Sequence, residues 1–485
     1  MSDETSDRPA TFREVFGEPE YRALYAATTL SWVGDYIARA AITVIVFKQT
    51  GSVGWSAAAF AVSYLPWLLG GPLLSTVAER YPYRRVMITC DLVRMGLIAL
   101  VAIPHLPVGV MLLLVFLTTL ANPPSQAARS ALLPLILPGD RVVLGLSINQ
   151  STGQAAQVVG YAAGAGLAAV SPRGAILLDA LTFLASALII RFGVRARPSA
   201  MTPATRSNLV GEMVEGFRLV FGHSVLRSIA VIVFSITLFA IVPEGLAAAW
   251  VADYTDQREP NGLYLAVIMA ASPVGLVLGS ILMARLVRPT LRTRLVRPFA
   301  ILSPLVLVPA LLNPHPYVIA LLAGISGFAV AGLMPVANGL FVQALPHGYR
   351  ARAFGVMATG VQICQGGAVL LTGLLAQKFE IPPVVGLWSL AGVVLMVVVS
   401  ATWPSPRRFE EAIAAAEETR PEPSARPAAP SQRGAPSANG AGPSPGPGPT
   451  ASPAASAGAG AGPASGPGRG AAAEPGRHRP AHVRP

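Results

Sequence analysis

The chain has 485 residues, of which 53% are hydrophobic and 12% charged, and its mean hydropathy is +0.55. Soluble domains carry about 25% charged residues, so this composition excludes an ordinary soluble domain. The net charge is +12, but the basic residues form no dense patch with interleaved aromatic residues, so no nucleic-acid partner is expected. Both cysteines, Cys90 and Cys364, lie in apolar runs, which excludes a disulfide framework and a cysteine metal site.

The predicted elements begin after a polar N-terminal segment, which has no apolar core and so predicts no secretory signal. Apolar stretches of about 20 residues, each able to cross about 30 Å of hydrocarbon, then recur about twelve times. They centre near Ala41, Leu65, Ile98, Leu114, Val159, Leu184, Ser235, Val274, Leu305, Gly324, Val369 and Val393. We therefore predict an all-α membrane protein with two pseudo-symmetric six-helix bundles.

The domain organisation follows from the polar breaks between these stretches. The predicted parts are an N-terminal segment (1–22), a first bundle (23–194), a linker (195–224), a second bundle (225–403) and a tail (404–485). In the linker, apolar residues from Leu209 to Phe221 recur at helical spacing, which predicts an amphipathic helix in the membrane interface. The approach to the fifth stretch, 137–157, is echoed by 345–365 six helices later, as expected of a repeated bundle.

The composition of the tail predicts disorder, and the charges of the loops predict the orientation of the helices. After residue 403 lie 17 of the 44 prolines, among Ala, Gly and Ser, so the tail is predicted to be disordered. Loops after the even-numbered stretches hold sixteen basic residues, whereas the opposite loops hold Lys48, Arg173, Arg258 and Lys378. Because basic loops stay in the cytoplasm, both termini are predicted there, with the helices in the cell membrane.

The loop after the second stretch carries a specific motif. Residues 71–85 read GPLLSTVAERYPYRR, with a glycine, an acid–Arg pair and clustered arginines. This loop resembles the signature loop of the major facilitator superfamily, and its surroundings are similar to the branch with macrolide and enterobactin exporters. Ser75 and Pro82 stand where that family usually has glycine, and Glu79 where it usually has aspartate.

The resemblance covers residues 20–403 and implies two bundles that rock about a central site. It extends through Gly34-Asp35, Asp91 with Arg94, 123–138, 179–183 and Pro243-Glu244. It also implies that Glu79 sits near Tyr349, at the start of the eleventh helix, where a helix dipole favours negative charge. The predicted gating group is Ser75, Glu79, Arg80, Arg84, Arg85, Asp91, Arg94 and Arg129. The alternative is that the arginines only set the topology.

Ionisable residues inside apolar helices are costly and are therefore candidates for function. Asp35 lies near the middle of the first helix, and Arg39 one turn on is expected to pair with it. Asp179 and Glu244 have no basic neighbour within a turn, which makes them the leading candidates for proton coupling. The alternative for both is a carboxyl near the outer interface, bonded to backbone or water.

Amide side chains add candidates for a polar cavity. They are Gln150, Gln154 and Gln157 in the fifth helix and Gln362 and Gln365 in the eleventh. Gly160 to Gly164 resembles the helix-five motif of facilitator antiporters, with Tyr161 in place of its proline. Amides and small residues together indicate close helix contacts or a watery cavity.

The sequence predicts a transporter and no enzyme. It lacks a phosphate-binding loop, a zinc-binding His-Glu-x-x-His and a hydrolase nucleophile elbow, so no cofactor and no metal are expected. We predict a monomeric secondary transporter in the lipid bilayer that exports a small amphipathic compound, such as a drug, antibiotic or siderophore, in exchange for protons. The alternatives are facilitated or uptake transport of a metabolite, or a non-transporting scaffold that acts through the tail.

Overall fold

The described part of the protein is helical. The structure is a computed structural model, and it describes residues 11–66, 81–138, 140–197, 209–255, 261–345 and 350–418. No strand occurs among these residues. They all belong to one compact unit, Met1–Pro421.

The first bundle is built from the helices before the linker. They are α1 (Phe12–Gly17), α2 (Pro19–Thr50), α3 (Val53–Ala61), α4 (Tyr83–Val101), α5 (Val108–Leu120), α6 (Asn122–Ile136), α7 (Asp140–Val170) and α8 (Pro172–Gly193). Helices α5 and α6 form one span that breaks at Ala121, just before Pro123 and Pro124. Proline lacks the N–H that would continue the helix.

The linker and the second bundle follow. They are α9 (Leu209–Gly222), α10 (Ser224–Ala240), α11 (Val242–Thr255), α12 (Gly262–Leu286), α13 (Pro289–Leu305), a 3₁₀ helix (Val308–Leu312), α14 (Pro316–Gln343), α15 (Arg350–Leu375), α16 (Ile381–Ala401) and α17 (Pro406–Glu418). Helices α10 and α11 form a second broken span, interrupted at Ile241.

Local sequence explains where many helices start. Prolines occupy the first position of α2, α8 and α14, where the missing N–H leaves no bond unmade. The side chains of Ser52 and Ser171 accept hydrogen bonds from the first turns of α3 and α8. These caps satisfy backbone donors that have no partner within the helix.

The membrane-protein fold class is confirmed. Nine helical stretches among the described residues are long and apolar enough to cross a membrane. Of the other three predicted stretches, those near Ile98 and Val159 correspond to α4 and α7, and the one near Leu65 extends past α3 into residues outside the described ones. Helix α4 is less apolar because it carries Arg84, Arg85, Asp91 and Arg94.

The two ends of the molecule differ in how the bundles meet. At the end where α2 passes into α3, here called the distal end, buried residues of both bundles form one continuous core. There Ala57 packs against Gly373, and Tyr64 packs against Gly366. At the opposite, proximal end, each bundle has a separate buried core. The described conformation is therefore closed at the distal end.

The linker and tail regions contain two helices. Helix α9 lies where the amphipathic pattern predicts one, and its position in the interface stays a prediction, as do the domain boundaries. Helix α17, Pro406–Glu418, occupies the start of the segment predicted as a tail from residue 404. Phe409 is buried and stacks on Trp403 at 5.4 Å, so apolar burial stabilises this turn of chain. Residues 419–485 lie outside the described residues.

Candidate functional site

The break between α10 and α11 positions Glu244. Pro243 has no N–H to donate to the carbonyl of Phe239, so the helix is interrupted and restarts at Val242. Trp388 of α16 donates its indole Nε1–H to the carbonyl of Leu238 at 3.1 Å, next to the break. Glu244 then lies in the first turn of α11, where the helix dipole favours a carboxylate.

Glu244 belongs to the second bundle but interacts with polar groups of the first. Its side chain is 3% exposed, and Tyr161, Gln157 and Ser272 approach it as hydrogen-bonding groups. Tyr161 and Gln157 lie on α7 of the first bundle, and Ser272 lies on α12. The Oε2 atom of Glu244 nevertheless has no hydrogen-bond partner. The Glu244 carboxyl therefore contacts both bundles, and its Oε2 atom can still accept a hydrogen bond or a proton.

Arg39 is the positively charged group that acts on Glu244. Its Nη1 donates to the hydroxyls of Tyr64 at 3.2 Å and Tyr161 at 3.4 Å. The guanidinium carbon also lies 5.1–5.6 Å from the ring centroids of Tyr36, Phe60 and Tyr64. Aromatic faces attract cations, so this aromatic surround stabilises a guanidinium inside the membrane region.

The expected pairing of Asp35 with Arg39 is wrong. Asp35 instead forms an ion pair with Arg94 of α4. Arg94 is 1% exposed and lies with its guanidinium carbon 4.1 Å from the ring centroid of Phe183. A guanidinium that is fully buried needs a counter-charge within its own bundle, whereas Arg39 has rings and hydroxyls around it.

Asp91, Arg94 and Arg129 were predicted with the gating loop, but they lie buried inside the first bundle. Asp91 is fully buried, and its Oδ2 accepts a hydrogen bond from Ser186 of α8 at 2.6 Å. Its Oδ1 lies 3.8 Å from Nη2 of Arg129 on α6. These residues are therefore part of an internal charge cluster, because they reside in the middle of helices that pack together.

Asp179 joins the same cluster from α8. It is 1% exposed, and the hydroxyl of Thr182 lies 3.2 Å from its Oδ1. Gly34 of α2 contacts Asp179 and Thr182 so closely that a side chain there would collide with both. Asp179 has no basic neighbour on its own helix, but Arg94 acts on it from α4.

The predicted amides are separated by the fold. Gln157 lies beside Glu244, as described above. Gln154, Gln362 and Gln365 are half-buried, and Gln150 is exposed. Only Gln157 is therefore tied to the candidate site by a contact among the described residues.

The predicted gating loop is only partly described. Ser75, Glu79 and Arg80 lie outside the described residues, as does Tyr349. Arg84 donates to the carbonyl of Arg191 at the end of α8, in its own bundle. In this conformation Arg84 therefore caps a helix and does not join the bundles, because the closing carbonyls of α8 need donors.

Two further ion pairs hold the linker at the proximal end. Glu20 is buried and accepts hydrogen bonds from the guanidinium of Arg197 and from the backbone N–H of Arg195. The Glu20 carboxylate raises the pKa of Arg197, so the pair stays charged at neutral pH. Glu215 of α9 pairs with Arg352 of α15 at 2.6 Å.

Sequence reasoning missed several members of the site. Tyr36, Tyr64, Ser186 and Ser272 attracted no attention because single hydroxyls are common in membrane helices. Pro243 was a visible signal, since breaks in membrane-spanning helices often line binding sites.

Comparison with known proteins agrees with this architecture. The family model described as Major Facilitator Superfamily matches residues 24–313, more than half of the chain. Macrolide efflux protein A of Streptococcus pyogenes is 19% identical over 392 residues, which cover 79% of this chain and 95% of that protein. The multidrug efflux pump Tap of Mycobacterium tuberculosis is 25% identical over 376 residues, which cover 74% of this chain and 87% of Tap.

Solved structures share the fold. A mutant of the nucleoside transporter NupG superposes with a TM-score of 0.61 at 15% identity, covering 79% of this chain and all of that chain. A mutant of the peptide transporter POT, in complex with alafosfalin, has a TM-score of 0.61 at 16% identity and covers 84% of this chain and 97% of that chain. These identities show the fold alone. On the family match and the helical membrane fold together, the chain belongs to the Major Facilitator Superfamily and is a membrane transporter of a small-molecule substrate.

Proposed function

We propose that this transporter exports a small amphipathic organic compound, of the drug, antibiotic or siderophore kind, in exchange for protons by alternating access. The observation that carries the proposal is Glu244, a buried carboxyl of the second bundle placed against Tyr161, Gln157 and Arg39 of the first. A proton on Glu244 removes its attraction to Arg39, so protonation state and contact between the bundles depend on each other. The efflux relatives support export as the direction.

The predicted membrane orientation indicates the side from which the cargo enters. With both termini in the cytoplasm, as the loop charges predict, the distal end faces outward and the described conformation is closed on the outer side. Cargo then enters between the separate proximal cores and meets Glu244 and Arg39 beneath the shared distal core. Opening the distal end requires the Glu244 contacts to α7 to separate.

Flux in everted vesicles tests this proposal. The panel is erythromycin, ethidium and a catecholate siderophore, with Glu244→Gln as the main variant and Glu380→Gln, at an exposed carboxyl, as its matched control. We expect a cargo to move only with a proton gradient, and Glu244→Gln to lose gradient-driven flux by at least tenfold while Glu380→Gln keeps it.

Other outcomes would contradict specific parts of the proposal. Flux that survives collapse of the gradient would make the protein a facilitator. Movement of the cargo from the vesicle lumen into the medium, opposite to export in everted vesicles, would reverse the direction. If no compound moves and removal of residues 419–485 abolishes the cellular phenotype, a scaffold role would replace transport.

A further inference from the structure

A set of polar side chains runs through the first bundle, away from the Glu244 contact. We call it the polar column. Its members are Ser31, Asp35, Asp91, Arg94, Ser125, Arg129, Asp179, Thr182 and Ser186. They come from α2, α4, α6 and α8, all in one bundle. All are buried except Asp35, whose side chain is 24% exposed.

Helix α8 supplies one edge of the polar column. Asp179, Thr182 and Ser186 lie three and four residues apart, so they share one face of the helix. The rise from Asp179 to Ser186 is about 10 Å at 1.5 Å per residue. Thr182 bonds Asp179 at one end, and Ser186 bonds Asp91 at the other.

Several buried polar atoms of the polar column have no hydrogen-bond partner. They are Oδ1 of Asp91, Nε of Arg94, Oγ of Ser125, and Nε and Nη2 of Arg129. Buried polar groups in proteins are rarely left unsatisfied, and ordered water is the usual partner when protein groups do not serve. These atoms lie on the adjacent helices α4 and α6, so water bound between these helices would satisfy them.

The charges of the polar column do not balance. Three carboxyls, Asp35, Asp91 and Asp179, face two guanidiniums, Arg94 and Arg129. An unpaired charge in this buried environment has a high free-energy cost, so protonation of one carboxyl stabilises the set. Asp179 is the carboxyl without an ion pair within 4 Å among the described residues, and Thr182 offers it a hydroxyl.

We infer that the polar column is a proton path through the first bundle, separate from the route of the cargo between the bundles. The inference rests on the proposed proton exchange. The path runs from Asp35, the exposed member, past Asp179 to Ser186, Asp91 and the proximal end of α6. At each step a carboxyl O–H gives its proton to water or a hydroxyl, which passes one of its own protons to the next carboxylate. No other bond changes.

Ser186 is the connecting hydroxyl and the residue to test. In Ser186→Ala the bond to Asp91 Oδ2 is lost without adding bulk, and Ser186→Thr keeps a hydroxyl. Ser303→Ala is the matched control, because Ser303 is an equally buried serine that bonds Ser326 at 2.9 Å in the second bundle. Thermal stability of all three variants shows whether each still folds.

The first measurement needs no cargo. Infrared spectra of the purified protein moved from H₂O to D₂O report the protonated carboxyl and the rate at which its proton exchanges. We expect a carboxyl band that disappears in Asp179→Asn, exchanges at least tenfold more slowly in Ser186→Ala, and exchanges at the wild-type rate in Ser186→Thr and Ser303→Ala. Absence of the band, or equal rates in Ser186→Ala and Ser303→Ala, would overturn the inference.

The second measurement separates this inference from the proposed function. In proteoliposomes, ethidium counterflow without a gradient tests the cargo route, and ethidium export driven by an imposed pH gradient tests coupling. We expect Ser186→Ala to keep counterflow within twofold and to lose driven export at least tenfold. Equal loss in both assays would overturn the proton path. A wild-type protein whose export ignores the pH gradient would instead overturn the proposed function, while the infrared result decides the polar column by itself.

Discussion

Neutralising Arg94 should be far more damaging than neutralising a carboxyl beside it. Arg94 is 1% exposed and serves Asp35 directly and Asp91 and Asp179 at longer range. In Arg94→Gln, two buried carboxyls, Asp91 and Asp179, and the partly exposed Asp35 face the guanidinium of Arg129 alone. Removing one partner from a buried ion pair costs about 3–5 kcal/mol, because the remaining charge is left uncompensated.

The asymmetry follows from the count of charges. Asp179→Asn leaves two carboxylates and two guanidiniums, which is a balanced set, so its cost should stay within about 1 kcal/mol. The double variant Asp35→Asn/Arg94→Gln removes one carboxyl and one guanidinium together, so it keeps the wild-type excess of one carboxyl. It should therefore recover much of the stability that Arg94→Gln loses.

Thermal unfolding in detergent measures these differences. Both cysteines, Cys90 and Cys364, are half-buried, so a thiol-reactive dye reports unfolding without added labels. At about 2 °C per kcal/mol for a large domain, Arg94→Gln should lower the Tm by about 6–10 °C, and Asp179→Asn by about 2 °C or less. Equal Tm losses in the two single variants, or a double variant no better than Arg94→Gln, would refute the charge balance.

Three further predictions concern other parts of the molecule. Gly373→Ile should hold the distal end open, because the isoleucine side chain would collide with Ala57. A cysteine introduced at Ser52 should then react with a thiol label at least tenfold faster. Gly367→Ile, with nothing within 4 Å of its Cβ, is the control and should label like wild type. Trp388→Phe should lower stability by about 1 kcal/mol through loss of the bond to Leu238, which a thermal melt detects, and no change in Tm would contradict the role of that indole in the α10–α11 break. Arg352→Glu should weaken the attachment of α9 and make the linker more sensitive to protease, and Glu215→Arg/Arg352→Glu should restore protection; a double variant as sensitive as the single one would contradict the pair.

The sequence predicted candidate residues where the free-energy cost of placing a side chain in the membrane does not depend on its partners. Asp179 and Glu244 could be singled out because a carboxyl in an apolar helix is costly in any arrangement. The partner of Asp35 could not be predicted, since spacing along one helix shows Arg39 but gives no view of Arg94 across the bundle.

Other features depended on the conformation. Pro243 predicts an interruption, but the support from Trp388, more than a hundred residues away, requires the fold. Closure at the distal end was also beyond prediction, because the same sequence must allow both the closed and the open arrangement in a transporter that alternates. The helix from Pro406 to Glu418 lies at the start of a segment whose composition otherwise favours disorder.

The small residues where α3 meets α15 affect how fast the two bundles can come together at the distal end. Ala57, Ala61, Gly366 and Gly373 meet there with scarcely a rotatable bond among them. Immobilising a long side chain costs up to about 2 kcal/mol of rotamer entropy, whereas glycine and alanine lose none. Closing these small-residue contacts therefore freezes almost no side-chain motion, and Tyr64 against Gly366 is a larger side chain that must be placed. The two bundles can separate and rejoin with little loss of side-chain entropy at the small residues themselves.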